Sequence, residues 1–209
     1  MKDLGYQCIA VIPSDRVSGP ISAHSDVLYL KTGNSDIIAS ACQKENFSLL
    51  EEAGYRITVC TELQPGYKTE SLLNYIINNE YIIYNPDTAM KINNNKAEIK
   101  VKQGYTKCST ICINSRAYIT DDENIKRALT ANNLDCLKIE KGDINLDGYN
   151  YGFIGGASVK LNEKEILFFG DIENNNDKKA VVEFLKKYGM KAIFIKNKKL
   201  NDIGSALIL

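Results

Sequence analysis

Residues 109–139, STICINSRAYITDDENIKRALTANNLDCLKI, contain two short β-rich segments, a helical segment and a third β-rich segment in that order. The segments lie at 109–113, 117–120, 122–131 and 136–139, and an Asn-Ser turn separates the first two. β-Branched and aromatic residues favour strands, while Asn and Ser favour a tight turn. Asp121 and Asp122 are suitable N-caps for the helix. This stretch therefore predicts one strand–strand–helix–strand unit.

The same order of segments occurs four times along the chain, starting near residues 27, 72, 109 and 151. The first copy is predicted at 27–31, 37–40, 44–53 and 56–60, the second at 72–77, 81–84, 88–94 and 97–101, and the fourth at 151–161, 165–169, 177–188 and 192–195. The remaining pieces are residues 206–209 at one end, and a helical stub at 1–4 with a strand at 7–12 at the other. A repeat of about 40 residues indicates a repeat architecture.

Joined together, the two terminal pieces would supply most of a fifth unit without a clear second strand. The fold class that we predict is therefore α/β, with five ββαβ units in a propeller-like ring that the N- and C-termini close and whose fifth unit is incomplete. A closed ring leaves few sheet edges exposed. An open α/β layer sandwich is the alternative, because alternation of strands and helices also permits it.

The composition is typical of an ordinary globular chain, and it argues against several functions. The 209 residues carry 26 Lys+Arg and 26 Asp+Glu, and we expect them to form a single domain over residues 1–209. Zero net charge without a basic cluster argues against nucleic-acid binding. No apolar run approaches the roughly 18 residues of a membrane span, and no secretory signal is evident, so we expect a cytoplasmic protein without a membrane partner.

The six scattered cysteines predict free thiols rather than disulfides. Cys108 and Cys112 lack the companion ligands of a zinc site, and we predict no metal and no cofactor. The single histidine of the chain, His24, must serve any mechanism that needs an imidazole.

Three segments resemble the pentein superfamily of guanidino-group-modifying enzymes. His24-Ser25-Asp26 before a β-rich run is similar to the His-x-Asp element of arginine and agmatine deiminases. Asn74, one unit later, lies in a segment similar to the Asn-bearing unit of dimethylarginine hydrolases. Residues 104–110, GYTKCST, resemble the glycine-rich segment around the nucleophilic cysteine of the superfamily, which places that cysteine at Cys108. Because Cys108 is central here, the chain resembles a circularly permuted member of the superfamily. The strings at 104–110, 151–156 and 168–171 together also resemble an uncharacterised bacterial branch.

The resemblance implies a cysteine-dependent hydrolase of the amidinohydrolase or deiminase type, acting on a small guanidino or amidino compound. Cys108 would be the nucleophile and His24 the proton relay, with Asp202 as the catalytic carboxylate and Asp26 and Asn74 binding substrate. A thiolate is a strong nucleophile, and carboxylates match the nitrogens of a guanidinium group.

A second string, EKGD at residues 140–143, is a closer match to the Glu-x-Gly-Asp element of the superfamily than the segment around Asp202. Glu140 and Asp143 are therefore further candidates for substrate binding, and the choice between Asp202 and Glu140 stays open. Gly155 and Gly156 are candidates because glycine lets a ligand approach the backbone, although they could instead let a strand bend near the ring axis. Tyr105 and Tyr151 could stack on a planar cation.

The element that handles the carboxylate of the substrate in the superfamily has no counterpart here, so we expect a substrate without the full set of polar groups of arginine. The main alternative is a non-catalytic pentein-fold binding protein, since a ribosome anti-association factor shares the architecture. A redox role for Cys108 and Cys112 is a weaker alternative, because a compact Cys-x-x-Cys motif is missing. The oligomeric state stays open, and a homo-oligomer is one of the alternatives.

Overall fold

The computed structural model describes residues 5–209, and the helix predicted at residues 1–4 lies outside them. Twelve strands in residues 5–209 form four sheets of three strands, one for each predicted unit. They are β1 (Tyr29–Lys31), β2 (Asp36–Ser40) and β3 (Arg56–Cys60); β4 (Ile76–Ile77), β5 (Tyr81–Tyr84) and β6 (Ala97–Lys100); β7 (Thr110–Asn114), β8 (Ala117–Thr120) and β9 (Asp135–Lys138); β10 (Ser158–Asn162), β11 (Glu165–Phe168) and β12 (Lys191–Phe194). The four-fold repeat is confirmed.

Each sheet contains an antiparallel hairpin followed by a parallel third strand. A parallel neighbour requires a crossover connection, and helices supply it in three of the four units. The helices are α1 (Ser25–Leu28), α2 (Phe47–Glu52), α3 (Tyr67–Glu70), α4 (Glu123–Ala131) and α5 (Asn175–Lys187), with 3-10 turns at Gly19–Ile21 and Ala41–Asn46. No helix within residues 5–209 is long and apolar enough to cross a membrane.

The helix predicted at 88–94 does not form. Asn85 instead organises a turn, in which its side chain accepts the N–H of Asp87 and its carbonyl accepts those of Thr88 and Ala89. Asn side chains that bond to nearby backbone compete with helix formation. The crossover of the second unit is therefore irregular.

The predicted first strands of the units extend too far towards the N-terminus. In the first unit, the carbonyl of His24 accepts the N–H groups of Val27 and Leu28, so these residues lie in α1 and not in a strand. Similar turns precede β4, β7 and β10, where Asn74, Ser109 and Ala157 donate to residues three or four positions earlier. Buried turns and buried strands are both apolar, so hydrophobicity did not separate them. These four turns carry the candidate site.

The fifth sheet of the predicted ring is not present in residues 5–209, and each of the four sheets is open. The predicted strand at 7–12 does not pair with another strand, because side chains of the first unit satisfy its backbone. Gln43 accepts the N–H of Ile12 and donates to its carbonyl, and Asn46 donates to the carbonyl of Ala10.

The C-terminal segment is also without a strand, but it joins the fourth unit to the first. Ser205 donates through its hydroxyl to the carbonyl of Ser158, and Ala206 and Ile208 pack against a buried apolar cluster of the fourth sheet. The carbonyl of Ile208 accepts from Lys31 Nζ at 3.3 Å. Residues 205–208 therefore connect the fourth unit to the first.

Hydrogen bonds link the four turns and the C-terminal segment in a closed circuit. Asn74 Nδ2 donates to the carbonyl of Asp26 at 2.9 Å, and Asn74 Oδ1 accepts the N–H of Cys108 at 3.2 Å. Gly156 N donates to the carbonyl of Cys108 at 2.9 Å. The N–H of Ser205 bonds to the carbonyl of Gly156, and the carbonyl of Gly204 accepts the N–H of Asp26. Five separate parts of the chain thus meet at one place.

Candidate active site

His24, Cys108 and Asp202 line one cavity of about 240 Å³. They come from the first turn, the third turn and the C-terminal segment, so the tertiary fold brings together side chains up to 178 positions apart, from 24 to 202. The rest of the lining consists of three aliphatic side chains, four aromatic side chains and one amide, namely Ile21, Val27, Leu146, Tyr105, Tyr149, Tyr151, Phe153 and Asn150. The predicted catalytic residues therefore share one largely apolar cavity.

Cys108 is buried and is held by Asn74 from the second turn. Asn74 Nδ2 lies 3.0 Å from Cys108 Sγ, and Asn74 Oδ1 accepts the backbone N–H groups of Lys107 and Cys108. Burial raises the pKa of the Cys108 thiol well above its ordinary value, and the negative charges of Asp26 and Asp202 raise it further. Cys108 is therefore a neutral thiol at neutral pH.

His24 is the N-cap residue of α1, and its side chain is buried between two carboxylates. Its Nδ1 lies 3.8 Å from Asp202 Oδ1 and 4.0 Å from Asp26 Oδ1, slightly beyond direct hydrogen-bond distance. Burial lowers the pKa of His24, and the charge of Asp202 opposes that effect. His24 and Cys108 line the same cavity, and a neutral imidazole can accept the proton of a thiol.

The backbone fixes the carboxylate of Asp202. Its Oδ2 accepts the N–H of Phe153 at 2.8 Å, and its Oδ1 accepts that of Gly204 at 3.0 Å. Burial, together with the charge of Asp26, raises the pKa of Asp202 to about 6. A Cβ atom at Gly156 would lie 2.0 Å from Asp202 Oδ1, so only glycine fits there.

Asp26 lies between this cavity and a second one. Both of its carboxylate oxygens are buried without a hydrogen-bond partner among the described residues, and its side chain lines a cavity of about 170 Å³ together with Lys31 and Lys107. Burial raises the pKa of Asp26, while the charge of Lys107 lowers it. The negative charge of Asp26 thus raises the pKa of Cys108, although Asp26 lines the other cavity.

Three other predicted site residues, Gly155, Glu140 and Asp143, do not line the cavity. Gly155 packs against backbone, where a Cβ would lie 2.2 Å from the carbonyl oxygen of Lys107, so close packing accounts for it. Glu140 is exposed, and its N–H donates to Asp177. Neither Glu140 nor Asp143 lines the cavity. Of the two carboxylates left open by the sequence, Asp202 is therefore the one that the fold places beside His24.

The buried carboxylate of Asp121 was not predicted from the sequence. Asp122 caps α4, as predicted, through Oδ1 bonds to the N–H groups of Asn124 and Ile125. Asp121 instead points inward and accepts the N–H of Ile154. Burial raises the pKa of Asp121 to about 7, although Lys141 opposes the shift. Two adjacent aspartates before a helix gave no signal that would distinguish the cap from the buried group.

Two further observations concern the second cysteine and the potential metal ligands. Cys108 and Cys112 line different cavities, so the geometry does not favour a redox pair. Among residues 5–209, no group of three or more His, Cys, Asp or Glu side chains is placed to hold a metal ion.

Comparison of the fold with solved structures identifies its class. The chain is similar to SxtG, an amidinotransferase from Microseira wollei in the saxitoxin biosynthetic pathway, with a TM-score of 0.57 and 11% identity over 93% of this chain and 71% of that one. For C. jejuni agmatine deiminase the TM-score is 0.51, with 12% identity over 80% and 67% of the two chains. For the inosamine-phosphate amidinotransferase StrB1 from Streptomyces griseus the TM-score is 0.52, with 12% identity over 85% and 63%. These proteins are pentein-fold guanidino-modifying enzymes, which confirms the predicted resemblance at the level of the fold.

The chain belongs to the family described as a family of unknown function, DUF6873, whose model matches residues 1–207. It spans about two thirds of the length of the structures it resembles. A comparison with curated protein sequences gave no match.

Proposed function

We propose that this protein is a cysteine-dependent enzyme that hydrolyses or transfers the amidino group of a small guanidino or amidino compound. The observation that carries the proposal is that Cys108, His24 and Asp202 line the same cavity although they lie far apart in the sequence. The structural neighbours are named as a deiminase and amidinotransferases, and their activities are consistent with this chemistry.

The electrostatics of the cavity favour a cationic substrate. Asp26 and Asp202 place two buried carboxylates beside Cys108, and their negative charges raise the pKa of the thiol. A bound amidinium or guanidinium ion would offset those charges and so lower the pKa of the thiol. Cys108 would then become nucleophilic when the substrate is present.

In the first half of the reaction, His24 takes the proton of Cys108, and Sγ attacks the amidino carbon. The C–N bond to the leaving amine breaks, and the protonated His24 returns its proton to that amine. The amidino group remains bonded to Sγ. The imidazole of a single histidine can serve as base and then as acid in this order.

In the second half, water or an acceptor amine attacks the same carbon while His24 accepts its proton. The C–S bond breaks, and the proton passes from His24 back to Cys108. With water, the products are an amine or ammonium and the corresponding urea or amide. With an acceptor amine, the amidino group is transferred. No oxidant or reductant is needed.

We also propose that the chain is a five-unit ring whose fifth unit consists of its terminal segments. The closed circuit of hydrogen bonds through Asp26, Asn74, Cys108, Gly156 and Gly204–Ser205 supports this arrangement. A ring would explain why side chains from distant units converge at one cavity.

Covalent labelling tests the catalytic proposal. The protein is treated at neutral pH with 2-chloroacetamidine or with iodoacetamide, and the modified cysteines are mapped by mass spectrometry. We expect 2-chloroacetamidine, a cation, to modify Cys108 at least tenfold faster than the other cysteines, and we expect His24→Ala to abolish this preference. The control is Cys112→Ser, because Cys112 lies on β7 only four residues after Cys108. This variant should leave the labelling of Cys108 unchanged.

Uniform slow labelling of all six cysteines would overturn the proposal and would favour a non-catalytic binding protein. Release of ammonium, urea or an amine from a panel of guanidines, lost in Cys108→Ser, would show turnover directly.

A further inference from the structure

We infer that the substrate is a compact monocation in which the amidino or guanidino group carries an uncharged, apolar and preferably planar substituent. This inference rests on the proposed function and names the substrate class of that site. The inferred class excludes compounds of similar size that also carry a carboxylate. The evidence is the chemistry of the cavity lining other than His24, Cys108 and Asp202.

Four aromatic side chains form half of that lining. The Tyr105 and Phe153 ring centroids are 6.1 Å apart at an angle of 34°, and the Tyr151 and Phe153 rings are also 6.1 Å apart but nearly perpendicular. The hydroxyl of Tyr105 donates to Glu70 at 3.0 Å, which holds the ring in place. Aromatic faces attract planar cations and apolar rings alike.

The aliphatic side chains Ile21, Val27 and Leu146 complete this surface, and all three are buried. An apolar substituent placed against them would be removed from water at a favourable free energy.

The described lining of the cavity contains no lysine or arginine. Lys107 is adjacent to Cys108 in the sequence, but it lines the other cavity. Lys141 Nζ lies 5.9 Å from the centre of the Tyr151 ring, yet it pairs with Asp122 Oδ2 at 3.6 Å. A carboxylate on the substrate would therefore lose its hydration without gaining a cationic partner, which is strongly unfavourable.

The lining of the cavity contains one acidic group. Asp202 beside His24 is the carboxylate of the lining, so the amidinium end of a ligand would lie there and the substituent would point to the rings. The volume of about 240 Å³ suits a ligand of modest size. For comparison, an apolar cavity of about 150 Å³ accommodates benzene.

A matched pair of ligands tests the inference: phenylguanidine and 4-guanidinobenzoate, which differ only by a para carboxylate. Binding is measured by calorimetry on Cys108→Ser, in which no covalent chemistry intervenes, and by protection of Cys108 from alkylation in the unaltered protein. We expect phenylguanidine to bind at least tenfold more tightly. Tyr149→Arg should reduce this preference several-fold, because Tyr149 is half-exposed at the cavity and the new cation would face the carboxylate.

The outcomes separate the two proposals. Equal or tighter binding of 4-guanidinobenzoate, or no binding of either ligand, would overturn the inferred substrate class, even if Cys108 labels selectively. Preferential binding of phenylguanidine without selective labelling or turnover would uphold the recognition chemistry and overturn the catalytic proposal alone.

Discussion

Asn74 and Cys108 contact each other twice: Asn74 Nδ2 donates to Sγ at 3.0 Å, and Asn74 Oδ1 accepts the N–H of Cys108 at 3.2 Å. The side-chain amide thus fixes the backbone of the cysteine and also donates to its sulfur. A hydrogen bond donated to sulfur favours the thiolate over the thiol. This contact opposes the burial and the carboxylate charges that raise the pKa of Cys108.

Asn74→Asp should slow the alkylation of Cys108 by iodoacetamide at pH 8 by about tenfold or more, since one unit of pKa changes the thiolate fraction tenfold. The substitution removes the donor and adds a negative charge beside the sulfur. Asn78→Asp is the matched control, because Asn78 Nδ2 lies 3.7 Å from Cys112 Sγ at the same sequence separation. An unchanged rate at Cys108 in Asn74→Asp would contradict the positioning role of Asn74.

Gly156→Ala should destabilise the protein by roughly 2 kcal/mol or more, in the range of other overpacking substitutions, and should displace Asp202. The added methyl group would lie 2.0 Å from Asp202 Oδ1. Chemical denaturation measures the free energy of unfolding. Gly19→Ala is the control, because a Cβ there meets no atom within 4 Å. Equal stability of the two variants would show that Asp202 does not require the space at Gly156.

The buried carboxyl group of Asp121 should contribute a decline in stability as the pH rises from about 4 to 8. Burial raises the pKa of Asp121 from 3.8 to about 7, so the folded protein holds this proton more tightly than the unfolded chain does. The resulting stabilisation is complete below the unfolded pKa and is lost as the pH rises through the folded pKa. One pKa unit corresponds to about 1.4 kcal/mol, so the rise from 3.8 to about 7 corresponds to roughly 4 kcal/mol of the decline.

Asp121→Asn should flatten this dependence and should be more stable than the unaltered protein at pH 8. The amide oxygen can still accept the N–H of Ile154, and the side chain carries no charge. Denaturation curves at pH 5 and pH 8 provide the measurement. If the two proteins show the same pH dependence, Asp121 does not titrate as a buried group.

Deletion of residues 206–209 should lower the free energy of unfolding by about 2–4 kcal/mol, comparable with losing buried apolar side chains from a core. Ala206 and Ile208 pack against the fourth sheet, and Lys31 donates to the carbonyl of Ile208. Deletion of Leu209 alone is the control, since that residue is 45% exposed. Similar stability of the two truncated proteins would indicate that the C-terminal segment does not tie the fourth unit to the first.

The repeat was predictable from sequence because hairpins and short helices depend on neighbouring residues. The turn at 114–115 and the Asp122 cap act within a few positions, and the predicted bounds of β8 are the observed ones. The turns before the first strands were not predictable in this way. His24–Leu28 and the segment around Gly155 are as apolar or as small as strand residues, and only their backbone hydrogen bonds distinguish them.

For the candidate site, the amino-acid sequence alone was enough to predict the chemical types: one imidazole at His24, a cysteine at Cys108 in a glycine-containing segment, and several carboxylates. The tertiary structure decided which carboxylate stands beside the imidazole, Asp202 rather than Glu140, and it replaced the predicted strand at 7–12 by backbone held on Gln43 and Asn46. The two differ in the distance along the chain over which the underlying interactions act. Turn, cap and strand preferences act over a few residues, whereas the distance between positions 24 and 202 depends on how every intervening unit packs.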